Sequence, residues 1–495
     1  MIHEDHFVKY GKRVVGSDKC IETPFGTKKL LYADWVASGR LYHPIEDAIV
    51  NKVGPLVANT HSESSYTGET ISGVYKSSRR IIKKHVNASD DDIIITSGSG
   101  MTEVVNKLQR ILGLRIPEQA LKYISIKPEE RPVVFVTHME HHSNHTSWLE
   151  TIADVVVIKP NKDLLVDVNS LKLELKKYES RNVKIGSFSA CSNVTGIEVP
   201  YHELSKIMHQ HGGLCFVDFA ASAPYVEINM HPCDPEMYLD AIFFSPHKFI
   251  GGPGSCGVLI FNKSIYNNVA PDTSGGGTVN WTNRWGKYHY VEDIETKEDA
   301  GTPGFLQSIK AAMAIRLKEE MNVVKMAERE SQMVSFVLNE LRKVENITIL
   351  ANNVDERLGI ISFYIEDAHF NLVVRLLSDY YGIQVRGGCS CAGTYGHYLL
   401  HVDSQTSHKI TSKIDRGDFS EKPGWVRISL HPVMSKEEIT YIIESITFIS
   451  NNWRDMQKDY NYSPAKNEYY HKYAKETSIN EYDSWLDTRE ALFVN

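Results

Sequence analysis

The sequence of 495 residues contains no long apolar run. Stretches such as 155–158 fall far short of the ~20 residues that a membrane-crossing helix needs. It has only 7 cysteines, an odd number that leaves at least one unpaired in a monomer, and this is too few for a disulfide framework. It has no excess of positive charge, since 54 Lys and Arg against 62 Asp and Glu give a net charge of −8. Without a Lys/Arg run, general nucleic-acid binding is disfavoured. Internal repeats and low-complexity tracts are absent. The opening residues, MIHEDHFVKYGKRVV, carry early acids and lack the apolar centre of a signal peptide. Together these absences predict a soluble cytoplasmic protein with reduced thiols and with neither nucleic-acid nor membrane partners.

What is present is a globular composition, 42% hydrophobic and 23% charged, over a length that suits two or three domains. Between about residues 90 and 262, short Val/Ile/Phe runs at 93–96, 133–136, 155–158, 183–189, 214–217, 241–244 and 257–261 alternate with amphipathic segments at 102–112, 169–178 and 202–211. That alternation predicts a mostly parallel sheet covered by helices, with ligands at the carboxyl ends of the strands. Residues 305–344 predict one long helix. A smaller α/β unit follows, with strands at 359–365 and 425–430 and helices at 369–381 and 434–449. Segments 113–132 and 405–423 look like insertions, and the Tyr-rich tail after Asn451 looks like a surface extension or docking arm.

Six segments could carry chemistry. In DAIFFSPHKFIGGPG, Lys248 follows a buried strand and precedes a glycine-rich turn; there it could form a Schiff base with an aldehyde cofactor, or be an ordinary loop lysine. In LCFVDFAASAP, Asp218 ends a strand, where it could hold a protonated ring nitrogen or simply cap a helix. ITSGSGMTE places Gly100, Met101 and Thr102 at a strand-to-helix turn, suited to a phosphate with Ser99 and Thr102 as hydroxyl donors, but also normal turn chemistry. Four histidines between 138 and 145 invite a zinc reading, but their spacing fits no familiar finger; a ring stacked on a cofactor is the better use. VRGGCSCAGTYGH sets Cys389 and Cys391 near Arg386, where a thiolate could be a nucleophile, an inert surface pair, or half of a metal site with His397 and His401. Finally, Arg427 lies in an apolar strand, as a substrate carboxylate or a structural ion pair would require.

In order and spacing, these pieces resemble the class V aminotransferases of pyridoxal-phosphate fold type I, in particular the cysteine desulfurase and selenocysteine lyase branch. The match spans roughly residues 30–450, through YADWVASGR, TSGSGMTE, MEHHSN, SNVTGIEVP, VDFAASAP, SPHK, EDAGTP, VRGGCSC and VRISL. The resemblance implies an α/β fold: a large domain, 31–304, with a mostly parallel seven-stranded sheet, and a smaller C-terminal α/β domain, 305–450, with an insertion at about 401–423. Residues 1–30 form an N-terminal segment and 451–495 a C-terminal extension. It implies pyridoxal 5'-phosphate held as an aldimine by Lys248, with Asp218 on the ring nitrogen and His141 stacked on the ring. The phosphate falls to Gly100, Met101, Thr102, Ser245 and His247, and Thr302 reaches the phosphate of the other subunit of a homodimer. Asn193 sits beside cofactor and substrate, while Arg427, Arg386 and Ala37 face the amino acid.

The implied reaction takes sulfur from cysteine or a related amino acid onto Cys391 as a persulfide and leaves alanine, with a sulfur-acceptor protein as a possible partner. No metal is implied. The sequence departs from the family at Ala221, where the family has glutamine, at Cys389, where a histidine is frequent, and in the long segment after His401. Those departures keep two alternatives in view: another class V lyase, epimerase or aminotransferase on a different amino acid, and a non-enzymatic or metal-binding scaffold.

Overall fold

The computed structural model describes residues 1–60, 64–473 and 479–487. Its centre is a seven-stranded sheet of β1 (Asp92–Ser97), β2 (Val133–Thr137), β3 (Asp154–Ile158), β4 (Lys184–Ser189), β5 (Leu214–Asp218), β6 (Ala241–Phe244) and β7 (Gly257–Asn262). The spatial order is β1-β7-β6-β5-β4-β2-β3. From β3 to β6 the strands are parallel, and β7 runs antiparallel to both β6 and β1. Strands such as VVFVT are buried along their whole length, because helices cover both faces and leave no residue for water. Two apolar clusters, one on each set of alternating side chains, contain Ile94 and Phe135 in one and Ile95 and Val136 in the other.

The register brings the functional ends of the strands together. Ser189 lies opposite Asp218, Asp218 opposite Phe243, Phe244 opposite Val258, and Gly257 opposite Ser97. The turns that leave these ends therefore crowd one edge of the sheet.

A second, four-stranded sheet has the order β8 (Ile347–Ile349), β9 (Ile360–Ile365), β11 (Trp425–Ser429), β10 (Arg386–Gly388), all antiparallel. The helix Phe370–Tyr381 packs on it and ends at Gly382, whose φ of 73° is the left-handed cap a glycine supplies at no steric cost.

The single helix expected over 305–344 is two, Phe305–Met321 and Val323–Leu341. Asn322, at φ 68°, breaks the chain direction, and its side chain accepts from the Lys325 N–H at 3.2 Å to cap the second helix. Apolar periodicity runs on through a one-residue break, so the pattern hid it. The closing helix likewise runs beyond Ile449, from Lys436 to Met456, behind a Ser435/Glu438 capping box. Beyond it the tail forms a hairpin of Tyr460–Ser463 with Glu468–His471; parts of the expected C-terminal extension, 474–478 and 488–495, lie outside the described residues. Within the expected insertion, Ser404–Ile414 is an exposed helix capped by Asp403. Among the described residues, no helix is long and apolar enough to cross a membrane.

Candidate active site

At the crowded sheet edge lies a cleft of about 640 Å³. It collects most of the candidates: Gly100, Met101 and Thr102 from the turn after β1, His141 after β2, Asn193 after β4, Asp218 at the end of β5, and Ser245, His247 and Lys248 after β6. The small sheet closes it with Arg386 and Arg427, and the N-terminal segment adds Ala37. Of the residues the resemblance assigns to the site, two are not on its wall. Thr302 is exposed elsewhere on the chain, and Cys391 is exposed on a turn whose neighbour, Ser390, does line the cleft. A second cleft, of about 600 Å³ with Arg375, Lys422 and Lys466 on its wall, contains none of the candidates.

The turn after β1 leads into the helix Met101–Ile111. The Met101 N–H donates to Ser245 Oγ at 2.8 Å, which ties the start of this helix to the loop after β6. Thr102 and Ser143 share a hydroxyl–hydroxyl bond of 2.6 Å. A Cβ on Gly100 would approach Ser245 Oγ at 3.1 Å and His247 Nε2 at 3.6 Å, so only glycine leaves space at this helix start for an anion. Burial, with Lys248 adding, lowers the His247 pKa to about 4. At neutral pH it is a neutral ring with one N–H to donate.

Lys248 sits between like and unlike charge. Burial lowers its pKa to about 8; Asp218 opposes that shift, and Arg427 and Arg386 add to it. An amine so tuned is a ready nucleophile toward a carbonyl. Asp218 is pushed up to about 7, chiefly by burial, while the Ala220 N–H, donating to Oδ1 at 2.8 Å, and the charge of Lys248 restrain it. The Ala220 contact is the local turn bond expected of an Asp at this place, and it leaves the carboxyl on the cleft wall. His141 is held near 3 by burial and by the Lys248 charge. It caps the helix His142–Leu149, its Nδ1 accepting from the Ser143 N–H at 3.1 Å, so the ring is neutral and fixed.

Three features were invisible in the sequence. Glu140, fully buried, accepts from Thr137 Oγ1 (2.7 Å), Asn144 Nδ2 (2.7 Å), Ser189 Oγ (2.6 Å) and the Ser189 N–H (3.0 Å), knotting the ends of β2 and β4 behind His141. Burial raises its pKa against those bonds. Asp34, in the YADWVASGR segment, accepts from Arg427 Nη2 at 2.7 Å and from Arg386 Nε at 3.2 Å. Arg427, only 2% exposed, also donates through Nη1 to the Asn193 carbonyl at 3.0 Å, and its Nε has no partner among the described residues. Third, the histidines beside His141 hold the cysteine turn. The His142 N–H donates to the Cys391 carbonyl at 2.7 Å, and its Nε2 accepts from the Gly393 N–H at 2.9 Å. Asn193 Nδ2 donates to the Ser390 carbonyl at 2.7 Å, while Asn193 Oδ1 is buried without a partner among the described residues. Hydrogen bonds across hundreds of residues leave no local pattern to read; an acid in the midst of a histidine cluster was the one available hint for Glu140.

His138 takes a structural part: Nε2 donates to the Leu164 carbonyl at 3.0 Å and the ring packs edge-on against Tyr395 and Tyr398. Among the described residues no three His, Cys, Asp or Glu side chains gather as a metal site. Ala221 packs in an apolar cluster with Val36, Cys191, Leu358 and Ile360, and of these Ala221, Val36 and Cys191 line the cleft.

The cleft thus offers a buried amine, a buried carboxyl, two arginines and space for an anion at a helix start. The chain as a whole is similar to known proteins. A probable cysteine desulfurase of Halalkalibacterium halodurans is 28% identical over 370 residues, covering 73% of this chain and 84% of that protein. A probable cysteine desulfurase of Staphylococcus aureus is 27% identical over 370 residues, covering 74% and 84%. Among solved structures, the apo cysteine desulfurase of Thermococcus onnurineus NA1 superposes with a TM-score of 0.72 at 22% identity, over 90% of this chain and 98% of that one. The fold is that of these structures, with its large, mostly parallel seven-stranded sheet. The aminotransferase class-V family model matches residues 31–442, and this chain belongs to that family.

Proposed function

We propose that the chain is a pyridoxal-phosphate-dependent cysteine desulfurase that works as a homodimer and carries sulfur as a persulfide on Cys391. The cleft fits the cofactor by its own features: the Gly100 space beside Ser245 and His247, a buried amine and a buried carboxyl, and two polar atoms, Asn193 Oδ1 and Arg427 Nε, left without partners on the wall. When bound, pyridoxal phosphate supplies an electron sink for the amino acid's α-carbon.

The residues then divide the work. Gly100, Met101, Thr102, Ser245 and His247 would hold the phosphate, and Thr302 would reach the phosphate in the neighbouring subunit. Asp218 would hold the ring nitrogen and His141 would pack on the ring. Lys248 would hold the aldehyde group and would move the proton at the α-carbon, as its lowered pKa suits. Arg427 takes the substrate carboxylate with its unpaired edge, and Ala37, Asn193 and Arg386 flank it. The Cys391 thiolate attacks the substrate sulfur, the carbon–sulfur bond breaks, and the carbon takes a proton to become alanine.

In this reading residues 31–304 bind the cofactor and 305–450 bring Arg427 and Cys391 to it. The cytoplasm, where thiols stay reduced, is its place, and a thiol-bearing acceptor protein is the sulfur's destination. The observation that carries the reading is the latch of Asn193 on Ser390, which ties an exposed cysteine's turn to the wall of a cleft holding a lysine of lowered pKa.

The test is to reconstitute the purified protein with pyridoxal phosphate, add L-cysteine, and assay alanine and sulfide. A visible cofactor band lost in Lys248→Ala, with alanine formation lost in Cys391→Ala, is the expected result. A coloured protein inert toward cysteine would move the reading to another class V reaction on a different amino acid. A protein that takes up no cofactor would overturn both.

A further inference from the structure

The desulfurase reading uses one cysteine of the segment Gly387-Gly388-Cys389-Ser390-Cys391-Ala392-Gly393 and leaves Cys389 without a task. The backbone here is a tight turn. The Ala392 N–H donates to the Cys389 carbonyl at 3.0 Å, and both central residues, Ser390 at φ 51° and Cys391 at φ 56°, are left-handed, the pattern of a primed turn. L-residues hold that conformation only when their surroundings impose it, and here three bonds do so. Asn193 Nδ2 fixes the Ser390 carbonyl, the His142 N–H fixes the Cys391 carbonyl, and His142 Nε2 fixes the Gly393 N–H.

So constrained, the two cysteines stand two peptide steps apart on a reversing chain. Two steps of 3.8 Å folded by a turn leave their α-carbons about 5–6 Å apart, inside the span a disulfide bridges. Their exposures differ: Cys391 faces solvent, whereas Cys389 is half-buried against the core. Neither sulfur has a disulfide or hydrogen-bond partner among the described residues. The arrangement is an outer thiol open to a sulfur donor and an inner one sheltered from it but within reach of the outer sulfur.

We propose that Cys389 is the resolving thiol for sulfur carried on Cys391. The Cys389 thiolate attacks Cys391 Sγ, the Cys389–Cys391 bond forms, and the bond from Cys391 Sγ to the outer sulfur breaks. The outer sulfur leaves as hydrosulfide, having gained the two electrons that the cysteine pair loses. An external dithiol then reduces the disulfide, becoming oxidised itself, and restores both cysteines. The inference rests on the desulfurase reading only for the origin of the sulfur. It gives the chain a route to free hydrosulfide that needs no acceptor at Cys391, and it stops the chain after one turnover when no dithiol is present.

The test loads sulfur in two ways onto the protein reconstituted with pyridoxal phosphate: with inorganic polysulfide, which bypasses turnover, and with L-cysteine, both without reductant. Trypsin releases Gly387–Lys409, whose cysteines are Cys389 and Cys391 alone, so its mass reports their state. With polysulfide the natural sequence should give a peptide lighter by two hydrogens together with hydrosulfide. Cys389→Ser should instead keep a peptide heavier by one sulfur, and Cys389→Ala should match it, which separates loss of the thiol from any local misfolding. An extra sulfur that persists equally in the natural sequence and in both variants would overturn the proposal. With L-cysteine, alanine plus the lighter peptide supports the resolving role in turnover. Alanine with a lasting extra sulfur overturns it while leaving the desulfurase reading intact. No alanine, when polysulfide still yields the lighter peptide, sinks the desulfurase reading and upholds the thiol pair.

Discussion

Arg386 and Arg427 stand directly opposite each other on the neighbouring strands β10 and β11. Like charges in that position repel, and Asp34 resolves the conflict by giving one carboxylate oxygen to each. The arrangement stores a pair of cations on the cleft wall with one carboxylate between them, leaving the Nε of Arg427 for a second anion.

Removing Asp34 should therefore strand a buried guanidinium. Asp34→Ala is expected to lower stability by about 3–5 kcal/mol, the usual range for breaking a buried pair, read as a shift of the urea midpoint. Arg427→Met with Asp34→Ala should recover much of that loss. A single variant as stable as the natural sequence would show that Asp34 is not the counter-charge.

Asn193→Ala cuts the latch on Ser390. The Cys391 turn should loosen, and alkylation of Cys391 by a small electrophile should speed up several-fold, while stability falls by about 1 kcal/mol, the worth of one hydrogen bond. Unchanged alkylation would mean that the His142 contacts alone fix the turn.

Lys248 sets a pH dependence for cofactor uptake. Its amine is neutral only above a pKa lowered to about 8. The rate at which the cofactor-free protein gains visible absorption on adding pyridoxal phosphate should rise with pH, about tenfold per unit below that pKa, and level off above it. An inflection at the ordinary lysine value of 10.5 would contradict the buried, charge-crowded setting described for this side chain.

Acid should unfold the chain through its buried histidines. Burial holds His138 near 4 and His431 near 3, below the ordinary 6.5. The folded state therefore binds fewer protons than the unfolded state between those values, and stability rises with pH in that window. It is fully present above about pH 6.5 and lost as pH falls toward 4 and then 3. Denaturation midpoints across this range, compared with those of His431→Asn, should show a shallower slope in the variant.

Much of the site was legible because its parts lie at strand ends. Lys248, Asp218 and the Gly100–Thr102 turn each follow a short apolar run, and runs of that kind become parallel strands whose ends converge. Asn193 and Arg427 were placed by resemblance and do line the cleft. What the sequence withheld is long-range pairing. Asp34 meets Arg427 across nearly the whole chain, and Glu140 gathers donors from two strands and a helix. The position of Cys391 outside the cleft wall depends on a turn whose left-handed residues are not glycines, and the break at Asn322 interrupts no hydrophobic period.

The reversed strand β7 also bears on how the chain folds. Among the described residues β1 pairs only with β7, and β7 alone joins β1 to the rest of the sheet. As the chain leaves the ribosome, β1 must wait, unpaired, until β7 has been made. Closing so long a loop is slow, and in the interval an apolar strand edge lies open to other chains. Misassembly should be concentrated in this interval, and the glycine-rich loop that turns the chain from Lys248 back into β7 is the hinge that ends it.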